Sequence, residues 1–154
     1  MTDARPFVPS RRNLLLGGVA LLGLGAVSAT AVARRDRFAG EEMTPPQALA
    51  AARADDLLLV DIRRPEEWAR TGIPEGATPI DMRRDDFIEV LSGLTGADKD
   101  RPVALICARG VRSDRLGARL ASAGFARIVD VPEGMLGSDA GPGWLDRGLP
   151  VRHP

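Results

Sequence analysis

The sequence predicts an α/β fold built on a mainly parallel sheet. Three short, largely apolar runs, at residues 57–62, 102–106 and 127–131, have the length and composition of buried strands, and the run 102–106 is apolar throughout. Runs with helix-start signals or helical periodicity separate them, so that strand and helix alternate along the chain. The 154 residues suit one domain of this kind, and the 44% hydrophobic content is enough for a core.

The first helices are predicted from caps and from the spacing of apolar residues. Thr44 followed by two prolines marks a helix start before the helix-forming residues 47–52. A second helical run covers residues 65–70, and a short extended piece ends near Ile80. The run 85–94 places four apolar residues on one helical face: Phe87, Val90, Leu91 and Leu94.

The last predicted helix follows the strand at residues 102–106. Ser113 is suited to cap its start, and Gly124 is suited to end it. Leu116, Leu120 and Ala123 form its apolar stripe. The strand at 127–131 then completes the alternating pattern.

Charge and residue counts exclude several function classes. The chain carries 21 basic and 21 acidic residues, so it has no cationic excess for binding nucleic acid. One cysteine, Cys107, excludes an intrachain disulfide, and with one histidine it leaves no set able to build a zinc site. His153 is next to last in the chain, a poor place for an oriented catalytic base. We therefore expect chemistry without a metal or cofactor.

The N-terminal segment resembles an export signal. Residues 14–33 contain no charged residue and follow the pair Arg11-Arg12, an order similar to the twin-arginine signal. Small residues at Ala31 and Ala33 favour cleavage after Ala33, with cleavage after Ala31 nearly as plausible. The alternative is an uncleaved anchor, since 20 uncharged residues at about 1.5 Å each cross a bilayer core of about 30 Å.

Both alternatives predict a periplasmic or extracytoplasmic protein. The export machinery and the membrane are then its partners through residues 1–33, and the domain is soluble after cleavage or held by residues 14–33. Without residues 1–33 the chain has 18 basic and 20 acidic residues, so the domain remains almost neutral. We expect a monomer.

The loop that begins at Cys107 is the candidate active site. Residues 107–113 read Cys-Ala-Arg-Gly-Val-Arg-Ser and lie between a buried strand and a helix start, where open α/β sheets bind ligands. Converging amides, a helix dipole and nearby arginines stabilise a thiolate, so the nucleophile needs no histidine. Gly110 suits a loop that curls around an anion, because glycine takes positive φ at little cost.

This loop resembles the active-site loop of rhodanese-family sulfurtransferases. Residues 60–63 with Pro65, Glu67-Trp68 and Gly76-Ala77 resemble the family's upstream signature. Its closing segment is similar to Gly134-Met135, Gly143-Trp144 and residues 148–151. The resemblance covers about residues 41–152. One departure is that the histidine often found in the family's Gly-His-Ile-Pro-Gly-Ala stretch is absent from residues 71–77.

The resemblance implies a rhodanese-like open five-stranded parallel sheet flanked by helices. It also implies a ping-pong reaction of the thiosulfate:cyanide sulfurtransferase kind. Cys107 takes a sulfane sulfur from a small-molecule donor as a persulfide and passes it to cyanide or a thiol. The implied substrate-binding residues are Ala108, Arg109, Gly110, Val111 and Arg112. Arg112 closes the ring and is expected to bridge loop and substrate, whereas Arg109 is expected to project toward solvent.

Two other functions are compatible with the same fold. A phosphatase or arsenate reductase has one more residue between cysteine and arginine, whereas Cys107 and Arg112 are separated by four. A non-catalytic rhodanese-like binding module in the cell envelope is the stronger alternative, because an intact loop does not prove that a donor reaches it.

Four further residues are predicted to be structural. Asp61 and Arg63 are expected to satisfy each other as a buried strut at a strand end. Trp68 is predicted in the core, and for Trp144 packing is favoured over a place at the pocket mouth.

Overall fold

The computed structural model of the protein describes residues 39–154. Five strands in this range form one sheet: β1 Glu41–Glu42, β2 Leu58–Asp61, β4 Ala77–Pro79, β5 Val103–Ile106 and β6 Ile128–Asp130. Their order in the sheet is β1-β6-β5-β2-β4, and every neighbouring pair is parallel. The predicted five-stranded parallel sheet is confirmed.

Two short strands form a separate antiparallel pair. These are β3 Ile73–Pro74 and β7 Val151–Arg152, which bring the end of the described chain back beside its middle. Neither this pair nor β1 was predicted. Two-residue strands have no detectable alternation, so only pairing in space defines them.

In the described part of the chain, five helices lie between the strands. They are α1 Pro45–Arg53, α2 Pro65–Thr71, α3 Phe87–Leu94, α4 Val111–Ser122 and the single turn α5 Gly143–Asp146. Thr44 caps α1 as predicted, and its amide donates to Gln47 Oε1 at 2.8 Å. None of the helices within residues 39–154 is both long and apolar enough to cross a bilayer.

Successive strand residues point to opposite faces of the sheet and separate the core into two clusters. Leu59, Ala104, Ile106 and Val129 pack with α1 and with Trp144 of α5. Val60, Val103, Leu105 and Ile128 pack on the other face with α3 and α4, and Cys107 belongs to this second cluster. The candidate nucleophile is thus on the face that α4 covers.

Two predictions about helix residues are wrong. Leu94 is 40% exposed, because it is the last residue of α3 and only Phe87 and Leu91 are buried. Ser113 does not cap α4, because the helix begins at Val111 with Gly110 as its N-cap. Gly110 has φ +80°, which turns the chain directly into the helix and places Ser113 within the first turn.

The tryptophans differ in their burial. Trp144 is 0% exposed, and its indole Nε1 donates to Pro150 O at 3.0 Å, so the prediction that it packs in the core is confirmed. Trp68 is half-buried and packs against the cluster that contains Trp144. It therefore contributes to the core from one side only.

Candidate active site

Cys107 stands directly after β5, the middle strand of the sheet. All four residues of β5 are buried, and β2 and β6 pair with it on either side. Because the strands are parallel, their carboxyl ends share one edge, and Cys107 lies at its centre. Cys107 itself is 1% exposed.

Residues 132–136 pack against the turn after Cys107 and hydrogen-bond to it. The Met135 amide donates to Cys107 O, and the Leu136 amide donates to Ala108 O, both at 2.9 Å. A Cβ at Gly134, whose φ is +65°, would lie 2.6 Å from Ala108 O. At Gly110 a Cβ would lie 2.3 Å from Pro132 O. Both glycines are required because the two backbone segments touch.

The turn after Cys107 leaves several backbone donors without a protein acceptor. Within residues 39–154, the amides of residues 108–110 donate to no protein acceptor. The first turn of α4 adds amides that have no intrahelical partner, together with the positive end of the helix dipole. This arrangement of amides and dipole suits an anion at the Cys107 sulfur.

The predicted binding residues differ in exposure. Gly110 is buried and Ala108 is half-buried, whereas Val111 is 59% exposed at the start of α4. Arg109 is exposed as predicted, and its Nη1 donates to Gly137 O at 3.1 Å. Arg109 therefore carries a charge at the rim of the loop.

Arg112 is bound by a residue of another helix. Its Nη1 and Nη2 donate to the two carboxylate oxygens of Glu67 on α2, at 2.8 and 2.6 Å. The hydrogen bond from Arg112 is the main reason why the pKa of Glu67 is lowered to about 2. Glu67 therefore stays ionised near neutral pH and balances the charge of Arg112. The stability this pair adds is present above pH 4.5 and is lost as the pH falls through about 2.

The Asp61–Arg63 pair, which was predicted to be a buried strut, connects α2 to the sheet. Arg63 and Asp61 are 1% and 0% exposed and form a bidentate pair, with Nη2 to Oδ2 at 2.7 Å. Arg63 also donates to Thr71 Oγ1 at 2.7 Å and to Gly72 O at 2.6 Å, at the C-terminal end of α2. The prediction of a buried strut is confirmed. A chain of polar contacts thus runs from β2 through α2 to the loop.

Ser113 was predicted in the loop only as a helix cap, and Asp130 was not predicted to belong to the site. Ser113 is 0% exposed, and its Oγ lies 3.6 Å from Cys107 Sγ. Asp130 ends β6 and is 4% exposed, and burial is the main reason why its pKa is raised to about 6. In the sequence Ser113 has the pattern of a cap and Asp130 that of a strand end. A polar residue closing an apolar strand was the only signal available for Asp130.

The titratable residues within residues 39–154 form no cluster of three or more that could hold a metal ion.

Comparison with known proteins agrees with this arrangement. Residues 44–138 match the family model of the Rhodanese-like domain. The chain is 33% identical over 103 residues to a sulfurtransferase of Allochromatium vinosum, covering 67% of this chain and 85% of that one. It is also 33% identical over 94 residues to the thiosulfate sulfurtransferase GlpE of Pseudomonas entomophila, covering 61% and 80%.

A solved structure shows the same similarity in three dimensions. The polysulfide-sulfur transferase homodimer of Wolinella succinogenes superimposes with a TM-score of 0.61 at 25% identity. The match covers 84% of this chain and 90% of that one.

Proposed function

The chain belongs to the rhodanese family, and on that premise we propose that it transfers sulfane sulfur through a persulfide on Cys107. The observation that carries this proposal is the position of Cys107 at the carboxyl end of β5, directly before a turn whose amides have no protein acceptor. The outer sulfur of a persulfide carries a negative charge and is bonded to the buried Cys107 sulfur. Because that charge has no counter-ion of its own, it needs hydrogen-bond donors of this kind.

The proposed reaction has two half-reactions. The Cys107 thiolate attacks the outer sulfur of a donor such as thiosulfate. The new S–S bond forms as the donor's S–S bond breaks, and sulfite leaves with the electron pair. A cyanide or thiolate acceptor then attacks the outer sulfur of the persulfide. Its bond to that sulfur forms as the S–S bond to Cys107 breaks, which regenerates the thiolate.

The test of this function is the intact mass of the purified protein. Incubation with thiosulfate, polysulfide or a thiosulfonate is expected to add one sulfur atom, and a thiol is expected to remove it. A mass that none of these donors changes would favour the alternative, a non-catalytic binding module. The burial of Cys107 is the observation that favours this alternative.

Glu67 is expected to weaken the binding of anionic donors, because its carboxylate balances Arg112 beside the loop. Glu67→Gln removes that negative charge and keeps a side chain of the same size. We expect KM for thiosulfate to fall several-fold at low ionic strength, with the difference shrinking as salt is added. Steady-state kinetics at two salt concentrations measure this.

The matched control for Glu67→Gln is Glu66→Gln on the same helix. The Glu66 side chain is 58% exposed, and its contact with Arg64 is 3.7 Å long. Its replacement should leave KM unchanged. An unchanged or higher KM in the Glu67 variant would show that the pair does not limit donor binding.

We further propose that the domain acts outside the cytoplasmic membrane, where residues 1–33 direct it. These residues lie outside the described part of the chain, and the proposal rests on the sequence of the segment. Replacing both Arg11 and Arg12 by lysine is expected to leave precursor in the cytoplasm, as fractionation and immunoblotting would show. Unchanged export would remove the twin-arginine interpretation, and N-terminal sequencing of the exported form separates cleavage after Ala33 from an intact anchor.

A further inference from the structure

Asp130 is a buried carboxyl group on the same face of the sheet as the nucleophile. It pairs in register with Leu105 of β5, two residues before Cys107. Strand alternation places Asp130, Leu105 and Cys107 on one face, and α4 covers that face. Helix α4 packs on β6, and Ser113 lies in the first turn of this helix.

Burial, helped by neighbouring carboxylates, keeps the Asp130 carboxyl neutral to an unusually high pH. Burial is the largest cause of the raised pKa, and Asp114 on α4 and Glu42 on β1 add to it, whereas the Ser113 hydroxyl opposes it. Within residues 39–154, Oδ1 of Asp130 is buried without a hydrogen-bond partner. The folded state is thus more stable with this proton bound. The added stability is complete below pH 3.8 and is lost as the pH rises through about 6.

The hydroxyl of Ser113 has one proton and several acceptors in reach. Its Oγ lies 2.9 Å from Gly110 O and 3.6 Å from Cys107 Sγ. A hydrogen bond with Ser113 is also one of the causes that lower the pKa of the Asp130 carboxyl. A hydroxyl donates one hydrogen bond and can accept others. The protonation state of Asp130 therefore determines which acceptor receives the hydrogen bond from Ser113.

We propose that Asp130 is a positioning residue for Cys107, acting through the Ser113 hydroxyl. This inference rests on the proposed function. The neutral carboxyl donates to Ser113 Oγ, so that the hydroxyl proton is shared only between Gly110 O and the Cys107 thiolate, which it stabilises. The ionised carboxylate accepts that proton instead and adds a second negative charge beside the thiolate. Ionisation of Asp130 therefore lowers the nucleophilicity of the sulfur, in the manner of coupled titrations.

The experiment measures the thiolate directly, without any sulfur donor. The rate of Cys107 alkylation by the neutral reagent iodoacetamide, and the ultraviolet absorbance of the thiolate, are followed against pH in the full chain. The native protein is expected to show two steps, the lower one near pH 6 where Asp130 ionises. Asp130→Asn should show one step and react about three- to tenfold faster at neutral pH.

Ser113→Ala separates the proposed relay from a direct effect of charge. It should remove the lower step on its own, and adding Asp130→Asn to it should change nothing further. Glu42→Gln is the matched control, because it removes a carboxylate next to Asp130 and leaves Ser113 in place. It should keep both steps and move the lower one to lower pH.

Two results would overturn the proposal. One is an Asp130→Asn profile that superimposes on that of the native protein. The other is an equal acceleration by Asp130→Asn with and without Ser113, which would show that charge alone acts. Neither result depends on turnover. If the protein accepted no sulfur donor, that would contradict the proposed function, but the alkylation measurement would still test the role of Asp130.

Discussion

Replacing Cys107 by serine is expected to abolish sulfur transfer and to leave the fold in place. Serine cannot form a persulfide, and its hydroxyl is far less acidic than a thiol. Loss of a nucleophile lowers turnover by about three orders of magnitude or more. Turnover with thiosulfate and cyanide, and the intact mass after incubation with donor, are the two measurements.

The fold of the Cys107→Ser variant is checked separately. The new hydroxyl has the Ser113 Oγ as a neighbour, since that oxygen lies 3.6 Å from the present sulfur. We therefore expect circular dichroism like that of the native protein and cooperative thermal unfolding. A folded variant that still turned over thiosulfate at the native rate would refute the assignment of Cys107.

Replacing Arg63 by alanine is expected to cause the largest loss of stability among single substitutions outside the apolar core. It removes the partner of Asp61 and leaves a carboxylate that is 0% exposed without its counter-charge. Breaking a buried pair in this way costs about 3–5 kcal/mol. Chemical denaturation measures the free energy of unfolding.

The chain contains a matched control for this substitution. Asp81 and Arg83 have the same spacing and the same bidentate geometry, but the Arg83 side chain is 57% exposed. Because solvent screens this pair, Arg83→Ala should leave the unfolding midpoint almost unchanged. Similar losses in the two variants would show that local geometry, and not burial, determines the contribution of Arg63.

The Arg63 substitution is also expected to reach the active-site loop. Arg63 holds the C-terminal end of α2, and Glu67 on α2 holds Arg112. A variant that still folds should therefore show faster hydrogen exchange in residues 107–113 as well as in α2. Faster exchange confined to α2 would show that the Asp61–Arg63 pair does not influence the loop.

Local patterns in the sequence determined most of the fold. The buried strands, the cap at Thr44 and the stripe of Leu116 and Leu120 each follow from the spacing of neighbouring residues. The burial of Asp61 with Arg63 was also predictable, because a carboxylate and a guanidinium two residues apart at a strand end can pair locally. The strands β1, β3 and β7 were not predicted, since two residues carry no periodic signal.

The sequence by itself determined the position of the nucleophile, because a buried strand that ends in Cys107 before a glycine turn and a helix places it at the sheet edge. Only the tertiary structure decided which groups surround that sulfur. Glu67, Ser113 and Asp130 come from three different elements, and their positions relative to Cys107 depend on strand order and helix packing. The physical reason is that backbone patterns are local, whereas the charge and hydrogen bonding of a buried site are set by groups distant in sequence.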